Sequence, residues 1–522
     1  MDNAKLNYKK TIFVGLAFFG ITMFWQTYDS LIAKILIDKF GLTQFWSGAV
    51  MALDNVLALL LLPLFGLLSD KTKSRFGKRT PYIIIGTVLA ALSFMSLSFV
   101  DNRQTMVMEN EGIVAKYEDK YESILSKQDV TRAEWELIFI EIGDPEITAD
   151  FHEVITVNGS LISLNDELTE FQHRDVSDVY YNYLNQEAWA VTKNDPGNLI
   201  LFLGVLFVVL LSMSVYRTPA VALMPDVTLK PLRSKANAVI NLLGSAGAVT
   251  AILVMTVTGV NNKSYVNYTP AFITIGILML VALLIFLITV NENKLNEQYE
   301  LEVTKYGLEE EVEDIVDSNG KLPKDKLVSL ILILSSVFLW FMGYNAVISK
   351  LSDYAPKVLQ MNYTLPLLVA QGAAIVSFIP IGILSSRFGR KKMILVGVTL
   401  LTICFGSAFF LTQSTGFLLY VVLAFTGIAW ATINVNSFPM VVELATGSNV
   451  GKYTGYYYTF SMAAQIVTPM LSGLFMDEIG RTALFPYAAL FVALSFVTMF
   501  FVKHGDAQVV KRGILESFDV ED

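Results

Sequence analysis

Residues 66–79 read Gly66-Leu67-Leu68-Ser69-Asp70-Lys71-Thr72-Lys73-Ser74-Arg75-Phe76-Gly77-Lys78-Arg79. Residues 382–391 repeat the pattern as Gly382-Ile383-Leu384-Ser385-Ser386-Arg387-Phe388-Gly389-Arg390-Lys391. Both read G-x-L-S and then R-F-G among basic residues, and each follows a long apolar run. A run of about twenty apolar residues crosses the ~30 Å hydrocarbon core as a helix. The repeat therefore marks one loop twice, in two related halves of a polytopic membrane protein, and internal similarity of this kind is a transporter signature. Two fainter echoes fall in register with it. Trp25 followed by Tyr28-Asp29 is matched by Trp340 followed by Tyr344-Asn345. Arg217, nine residues before Asp226, is matched by Asn434, nine before Glu443.

Working outward, apolar runs occur at about 11–33, 45–68, 81–100, 199–223, 236–259, 270–290, 327–349, 364–385, 393–412, 416–440, 453–476 and 483–502. These twelve runs are the expected membrane spans, six in each half, and they predict an all-α integral membrane fold. Composition agrees: 54% of residues are apolar and 16% charged, too little charge for a soluble surface. The single Cys404 rules out a disulfide framework, and three scattered His residues argue against a zinc centre. The run after Lys9-Lys10 is too long for a cleaved signal peptide and reads as a retained first span. No P-loop, G-x-S-x-G or H-E-x-x-H occurs, which disfavours ATP-driven transport and enzymatic chemistry.

Basic residues orient the chain. The loops on the side of the N-terminus hold thirteen Lys and Arg, among them Lys71, Lys73, Arg75, Lys78, Arg79, Arg387, Arg390 and Lys391. The opposite side holds six: Lys34, Lys39, Lys263, Lys350, Lys357 and Arg481. The bias predicts both termini in the cytoplasm, with a plasma (inner) membrane location. Residues 101–198 then form an extracellular insert between spans 3 and 4; their net charge is −14, against −9 for the whole chain. Alternating patches such as Trp135-Glu136-Leu137-Ile138-Phe139 and Ile155-Thr156-Val157 allow a small domain, and a solvated spacer is the alternative. The expected organisation is a first bundle from 1–100 and 199–290, a charged cytoplasmic linker at 291–326, and a second bundle with its tail at 327–522.

The loop Ser69-Asp70-Lys71-Thr72-Lys73-Ser74-Arg75-Phe76-Gly77-Lys78-Arg79-Thr80-Pro81 resembles the cytoplasmic motif of the glycoside–pentoside–hexuronide:cation symporters of the major facilitator superfamily. The likeness is strongest to the branch holding plant sucrose transporters and their animal and bacterial relatives. Arg217-Thr218-Pro219-Ala220, Met224-Pro225-Asp226-Val227, Arg233-Ser234-Lys235-Ala236-Asn237-Ala238 and Trp340-Phe341-Met342-Gly343-Tyr344-Asn345-Ala346-Val347 are similar to the same branch. The resemblance covers nearly all the chain except 101–198. It implies two six-helix bundles, alternating access, and a sugar moving with a proton or sodium ion. Melibiose-type members carry span 2 carboxylates one and two turns nearer the Pro-x-x-Gly; here Ala58 and Leu62 occupy those places before Pro63 and Gly66. That departure weakens a sodium site of the melibiose kind and favours protons.

Charges within spans are costly and mark function by default. Asp29, Asp54 and Arg217 are interior, with Lys34 near the outer end of span 1. At about 1.5 Å per residue, Asp29 and Asp54 share a level and Arg217 sits about two turns lower. Asp54 is the first candidate for the coupling ion, because a carboxylate in a low-dielectric surround takes up a proton more readily than one in water. Asn55 can help ligate a cation, and Asp29 can share the proton or hold sugar hydroxyls. Arg217 carries a fork of donors for hydroxyls or for a carboxylate. For Asp54 and Arg217 a structural ion pair is the competing reading, and for Asp29 a plain interfacial carboxylate wetted from outside.

Sugar sites combine an apolar lining with a few polar groups. Trp25, Gln26, Tyr28, Trp340, Tyr344 and Asn345 supply that mix from pseudo-equivalent helices, and Asn241, Gln371, Asn434, Asn436 and Gln465 add amides. Packing within the bundles competes for each of them. Asp70, Arg75, Gly77, Lys78, Arg79, Asp226 and Glu443 read as a gate at the cytoplasmic ends. The expectation is a monomeric sugar:proton symporter for a disaccharide or glycoside such as maltose or sucrose. It has no cofactor beyond the proton (or sodium) it couples to, no metal site and no nucleic-acid partner, and it works in a lipid bilayer. Two alternatives stand: an exporter or carrier of another small amphiphile, and a non-transporting sugar sensor.

Overall fold

The computed structural model describes residues 6–118, 154–157, 160–163, 170–229, 232–260, 264–306, 323–444 and 450–505. In chain order its helices are α1 Tyr8–Asp38, α2 Gln44–Lys71, α3 Thr80–Asn110, α4 Ile113–Glu118, α5 Glu170–Asn194, α6 Gly197–Asp226, α7 Arg233–Val257 and α8 Thr269–Thr289. They continue with α9 Glu292–Tyr306, α10 Lys324–Val358, α11 Thr364–Phe388, α12 Arg390–Ala408, α13 Leu418–Val442, α14 Val450–Ile479 and α15 Leu484–Phe500. A short antiparallel hairpin, β1 Val154–Val157 with β2 Ser160–Ser163, lies in the insert. The twelve expected spans fall on α1, α2, α3, α6, α7, α8 and α10 to α15. Eleven of these helices are long and apolar enough to cross a membrane; in α11 the apolar stretch is the shorter Thr364–Phe378.

The internal repeat is visible in the packing. In the first half α1 packs on α7 and α8, α3 on α6 and α8, and α2 on α6. In the second half α10 packs on α14 and α15, α12 on α13 and α15, and α11 on α13. These are the same pairs of spans in each half. The two bundles meet through α2 against α14, α7 against α11, and α1 against α10, which again obeys the repeat.

Small residues let the bundles approach backbone to backbone. A Cβ on Gly48 of α2 would fall on the carbonyl of Pro469 in α14, and one on Gly473 of α14 on the carbonyl of Gln44. Both contacts lie toward the end of the bundles that carries the insert. There, too, gather the bonds joining the bundles among the described residues. Lys350 Nζ donates to the Gln44 carbonyl at 2.8 Å, the Gln44 and Phe45 amides donate to the Asp477 carboxylate at 2.8 Å each, and Lys357 pairs with Asp38. Tyr363 and Thr364 bond Val260 and Thr256 at the same end. At the opposite end, where the termini lie, Arg79–Asp226 and Arg390–Glu443 are ion pairs internal to one bundle each. The molecule is shut on the insert side.

The spans run longer than their apolar cores. Helix α3 continues to Asn110, ten residues past its expected end, and α5 returns as a 25-residue helix before α6. Within the insert Ile155-Thr156-Val157 lies on β1, whereas Trp135 to Phe139 lies outside the described residues. The segment 170–194 is a packed helix rather than a solvated spacer, because it buries Arg174, Ser177, Asp178, Leu184 and Ala188. In the linker 292–306 forms α9, and Leu308 to Asp314 lies outside the described residues.

Candidate functional site

A cavity of about 200 Å³ opens between the bundles, lined by Trp25, Asp29, Met51, Asp54, Asn55, Arg217, Asn345, Ile348, Ser349, Gln465 and Pro469. Helical spacing explains which residues share it. Trp25 and Asp29, Met51 and Asn55, Asn345 and Ser349, and Gln465 and Pro469 are each four residues apart, so each pair stands on one face of its helix. Pro469 has no N–H, which leaves the Gln465 carbonyl without its partner in the helix.

The polar groups here are poised rather than satisfied. Asn55 Nδ2 donates to Asp54 Oδ1 at 2.7 Å. The Arg217 guanidinium lies over the Trp25 ring, 5.7 Å from its centre. Among the described residues, no ion pair within 4 Å uses Asp29, Asp54 or Arg217. Trp25 Nε1 and Asn345 Nδ2 are buried donors without an acceptor among the described residues. The cavity thus offers two carboxylates, one guanidinium and two unclaimed N–H donors to whatever enters it.

The other sequence-predicted residues lie outside this lining. Gln26 donates to Ser30 of its own helix at 3.3 Å. Tyr28 is buried between Phe24 and Trp25, and Trp340 is wholly buried in the core. The Tyr344 ring stacks on Trp430 at 3.6 Å. Asn434 and Asn436 donate to the carbonyls of Trp430 and Thr432, one turn back in α13. Asn241 is exposed and Gln371 half-buried, both away from the lining. Of the aromatic and amide set, Trp25, Asn345 and Gln465 reach the cavity. Met51, Ile348, Ser349 and Pro469 line it without any charge or aromatic ring that would single them out in the sequence.

At the terminus side the repeated loop is an ion-pair knot. Arg79 Nε meets Asp226 at 2.9 Å, its Nη1 donates to Ser69 at 2.5 Å, and its Nη2 pairs with Asp70. Lys78 Nζ also reaches Asp226, at 3.1 Å. Gly77 has φ +110°, and a Cβ there would strike the Glu292 carboxylate, so both backbone and space demand glycine. Gly389 holds the matching turn with φ +89°, and Arg390, the counterpart of Lys78, pairs with Glu443. Arg75 lies against its neighbour Phe76, and its carbonyl accepts from Asn293. Glu292 completes the knot and was not among the expected residues. Its carboxylate accepts from the amides of Lys78, Arg79 and Thr80 at 2.8–3.1 Å, capping α3.

The insert side holds a second buried network. Lys34, Lys39, Lys350, Lys357 and Arg481, expected as loop charges, are buried there. Their partners explain how: Lys34 meets Asp38 at 3.3 Å, Lys39 meets Asp101 at 2.7 Å, and Lys357 pairs with Asp38 and Asp353. Arg481 meets Asp353 at 2.7 Å and Asp178 at 2.9 Å. Gln44 donates to Asp353 at 2.5 Å. Just beyond the spans, burial and the nearby Asp38 carboxylate push the hydroxyls of Tyr117 and Tyr265 well above the ordinary tyrosine range.

The Major Facilitator Superfamily model matches residues 188–379 and 355–516, and that of the MFS/sugar transport proteins matches 13–105. The Proton-associated sugar transporter A of Homo sapiens is 31% identical over 96 residues, 18% of this chain and 12% of that protein. The uncharacterized symporter YnaJ of Bacillus subtilis is 29% identical over 87 residues, 16% of this chain and 19% of the other. The chain thus aligns with less than a fifth of each curated relative's length. The fold is similar to the inward-open xylose transporter XylE from E. coli, with TM-score 0.55, 16% identity and 95% of both chains covered.

Proposed function

The chain belongs to the major facilitator superfamily, and from that premise we propose that it is a sugar:proton symporter working by alternating access. The observation that carries the reading is the shared cavity of Asp29, Asp54 and Arg217, charges in no ion pair among the described residues. Charges kept unpaired between two bundles are expensive, and a transported proton and a polar solute are what such a site serves. The sugar-transport family match over span 1 to span 3, and the printed name of the human relative, support a sugar as cargo. The loop at 69–81 supports the glycoside–pentoside–hexuronide:cation branch, with a disaccharide or glycoside as substrate.

In this reading Asp54 carries the proton, with Asn55 holding its ionised form and Asp29 at the same level as a second acceptor. A proton on Asp54 weakens its hold on Arg217, whose donors then turn to sugar hydroxyls. Trp25 Nε1, Asn345 Nδ2, Ser349 and Gln465 complete the polar contacts. Loss of the proton draws Arg217 back and releases the sugar. Both termini are cytoplasmic, so the insert is extracellular and the conformation described here faces the cytoplasm. The protein acts as a monomer in the plasma membrane and needs no cofactor.

The test is internal pH in proteoliposomes after maltose, sucrose and other glycosides are added outside, with and without sodium. Sugar-dependent acidification that disappears in Asp54→Asn is the expected result. Sodium-driven uptake without a pH change would replace the ion, and sugar binding without flux would make the protein a sensor. Silence toward every sugar would favour the carrier of another amphiphile.

A further inference from the structure

Helix α5 touches both bundles, with different halves. Its 25 residues extend about 37 Å at 1.5 Å per residue. The first three turns, with Asn182 just beyond them, grip the second bundle, and Tyr180 there also donates to the Lys116 carbonyl of α4 at 2.6 Å. Arg174 Nη1 donates to the Phe409 carbonyl at 2.7 Å, and Ser177 Oγ to the Lys357 carbonyl at 2.9 Å. The Asp178 carboxylate accepts from the Arg481 amide at 2.8 Å and from its guanidinium at 2.9 Å, while Asn182 takes the same guanidinium at 2.6 Å. Glu170 accepts from Ser414 at 2.6 Å.

The last three turns belong to the first bundle. Thr192 accepts from Gln104 at 3.3 Å, Glu187 pairs with Lys116 at 2.5 Å, and Gly41 lies against the backbone of Trp189. Asp195 and Pro196 then lead directly into α6, so this end cannot leave the first bundle. Arg481, gripped by α5, also holds Asp353, which accepts from Gln44 across the bundle interface. The helix therefore spans the closed seam and bonds Arg481, the partner of the Asp353 that Gln44 reaches across it.

We propose that the first three turns of α5 are a latch on the insert-side gate: they hold it shut by gripping the second bundle through Arg481, and they let go whenever that side opens. The chemistry suits release. Asp178 and Arg481 are buried, and bonds between buried charges are strong only while water is excluded. Parting the bundles wets both partners, so hydration replaces what the latch loses. The inference rests on alternating access alone and is independent of sugar and proton.

The test uses the full chain in oriented vesicles, with Cys404→Ser and a reporter Ser349→Cys in the cavity, labelled by an impermeant maleimide from the insert side. Asp178→Asn is expected to speed labelling about tenfold, the size of one lost charge-assisted hydrogen bond, and Asp178→Glu to restore the slow rate. A second arm leaves Asp178 intact. Glu170→Cys with Ser414→Cys, tied by a short bis-methanethiosulfonate that leaves reducible disulfides and releases sulfinate, is expected to stop labelling until the tie is reduced. An unchanged rate in Asp178→Asn that elutes as a folded monomer, or a tied protein labelled as fast as the reduced one, overturns the latch. If Asp178→Asn does not fold, the tied pair decides alone. A failed sugar assay leaves both arms readable.

Discussion

Gly48 faces the carbonyl of Pro469 so closely that no side chain fits between them, and Gly473 stands in the same relation to Gln44 one step along the seam. Closure of the insert side needs both glycines. Gly48→Val or Gly473→Val is expected to penalise the closed state by about 1–3 kcal/mol, the usual cost of overpacking. Cysteines placed in the cavity should then label faster from the insert side, while the same substitution at Gly372, whose Cβ would meet open space, should change nothing.

Arg217 combines a charge near Asp54 with a plane over Trp25. Lysine keeps the charge and loses the plane and the fork of donors. Arg217→Lys should weaken sugar binding about tenfold, a cation–π contact and a hydrogen bond's worth, and keep proton movement tied to sugar. Arg217→Gln should lose both. Binding by calorimetry and pH change in proteoliposomes separate the outcomes.

The two terminus-side ion pairs look alike in sequence but differ in environment. The Arg79 side chain is 6% exposed and bonds both α2 and α6, whereas Arg390 is 22% exposed and has Glu443 at 31%. Arg79→Ala takes from Asp226 one of its two cations, Lys78 remaining, and from Ser69 and Asp70 their donor, and should cost about 2 kcal/mol, below the range for breaking a fully buried pair. Arg390→Ala should cost about 1 kcal/mol or less. Thermal unfolding in one detergent, compared between the two variants, checks the ranking.

Glu292 is the cap of a helix that starts more than two hundred residues earlier. Glu292→Ala leaves three amides at the start of α3 without acceptors and should destabilise the first bundle by about 1–2 kcal/mol. Glu292→Gln keeps one acceptor oxygen and should lose less than half of that. Protease sensitivity of the loop at 72–79 is the local readout.

The spans and the repeat are legible in the sequence because a membrane helix announces itself by length and apolarity, and a repeated loop needs no partner to be seen. Asp29, Asp54 and Arg217 stand out for the same reason: a charge in an apolar run is visible locally. Which face a helix turns to the cavity is not. In α10 Trp340, Tyr344 and Asn345 lie within six residues, and only Asn345 reaches the lining. Glu292, Asp178 and Arg481 act on groups 128–303 residues away, which no local pattern encodes. One signal was available. Lys34 and Asp38, and Asp353 and Lys357, are each spaced by four residues at the ends of pseudo-equivalent helices, as paired charges in a helix are.

The insert-side network also has an electrical consequence. Its cations Lys34, Lys350, Lys357 and Arg481 balance its anions Asp38, Asp178, Asp353 and Asp477, so opening or closing that gate carries no net charge through the membrane field. The cavity differs: two carboxylates face one guanidinium. With both carboxylates ionised in the empty site, the proposed cycle makes the proton-loaded carrier neutral and leaves the empty one a negative charge. A charge crossing the full field gains about 2.3 kcal/mol per 100 mV. On that cycle an interior-negative membrane potential acts on the empty return stroke, driving the vacant site outward to begin the next round.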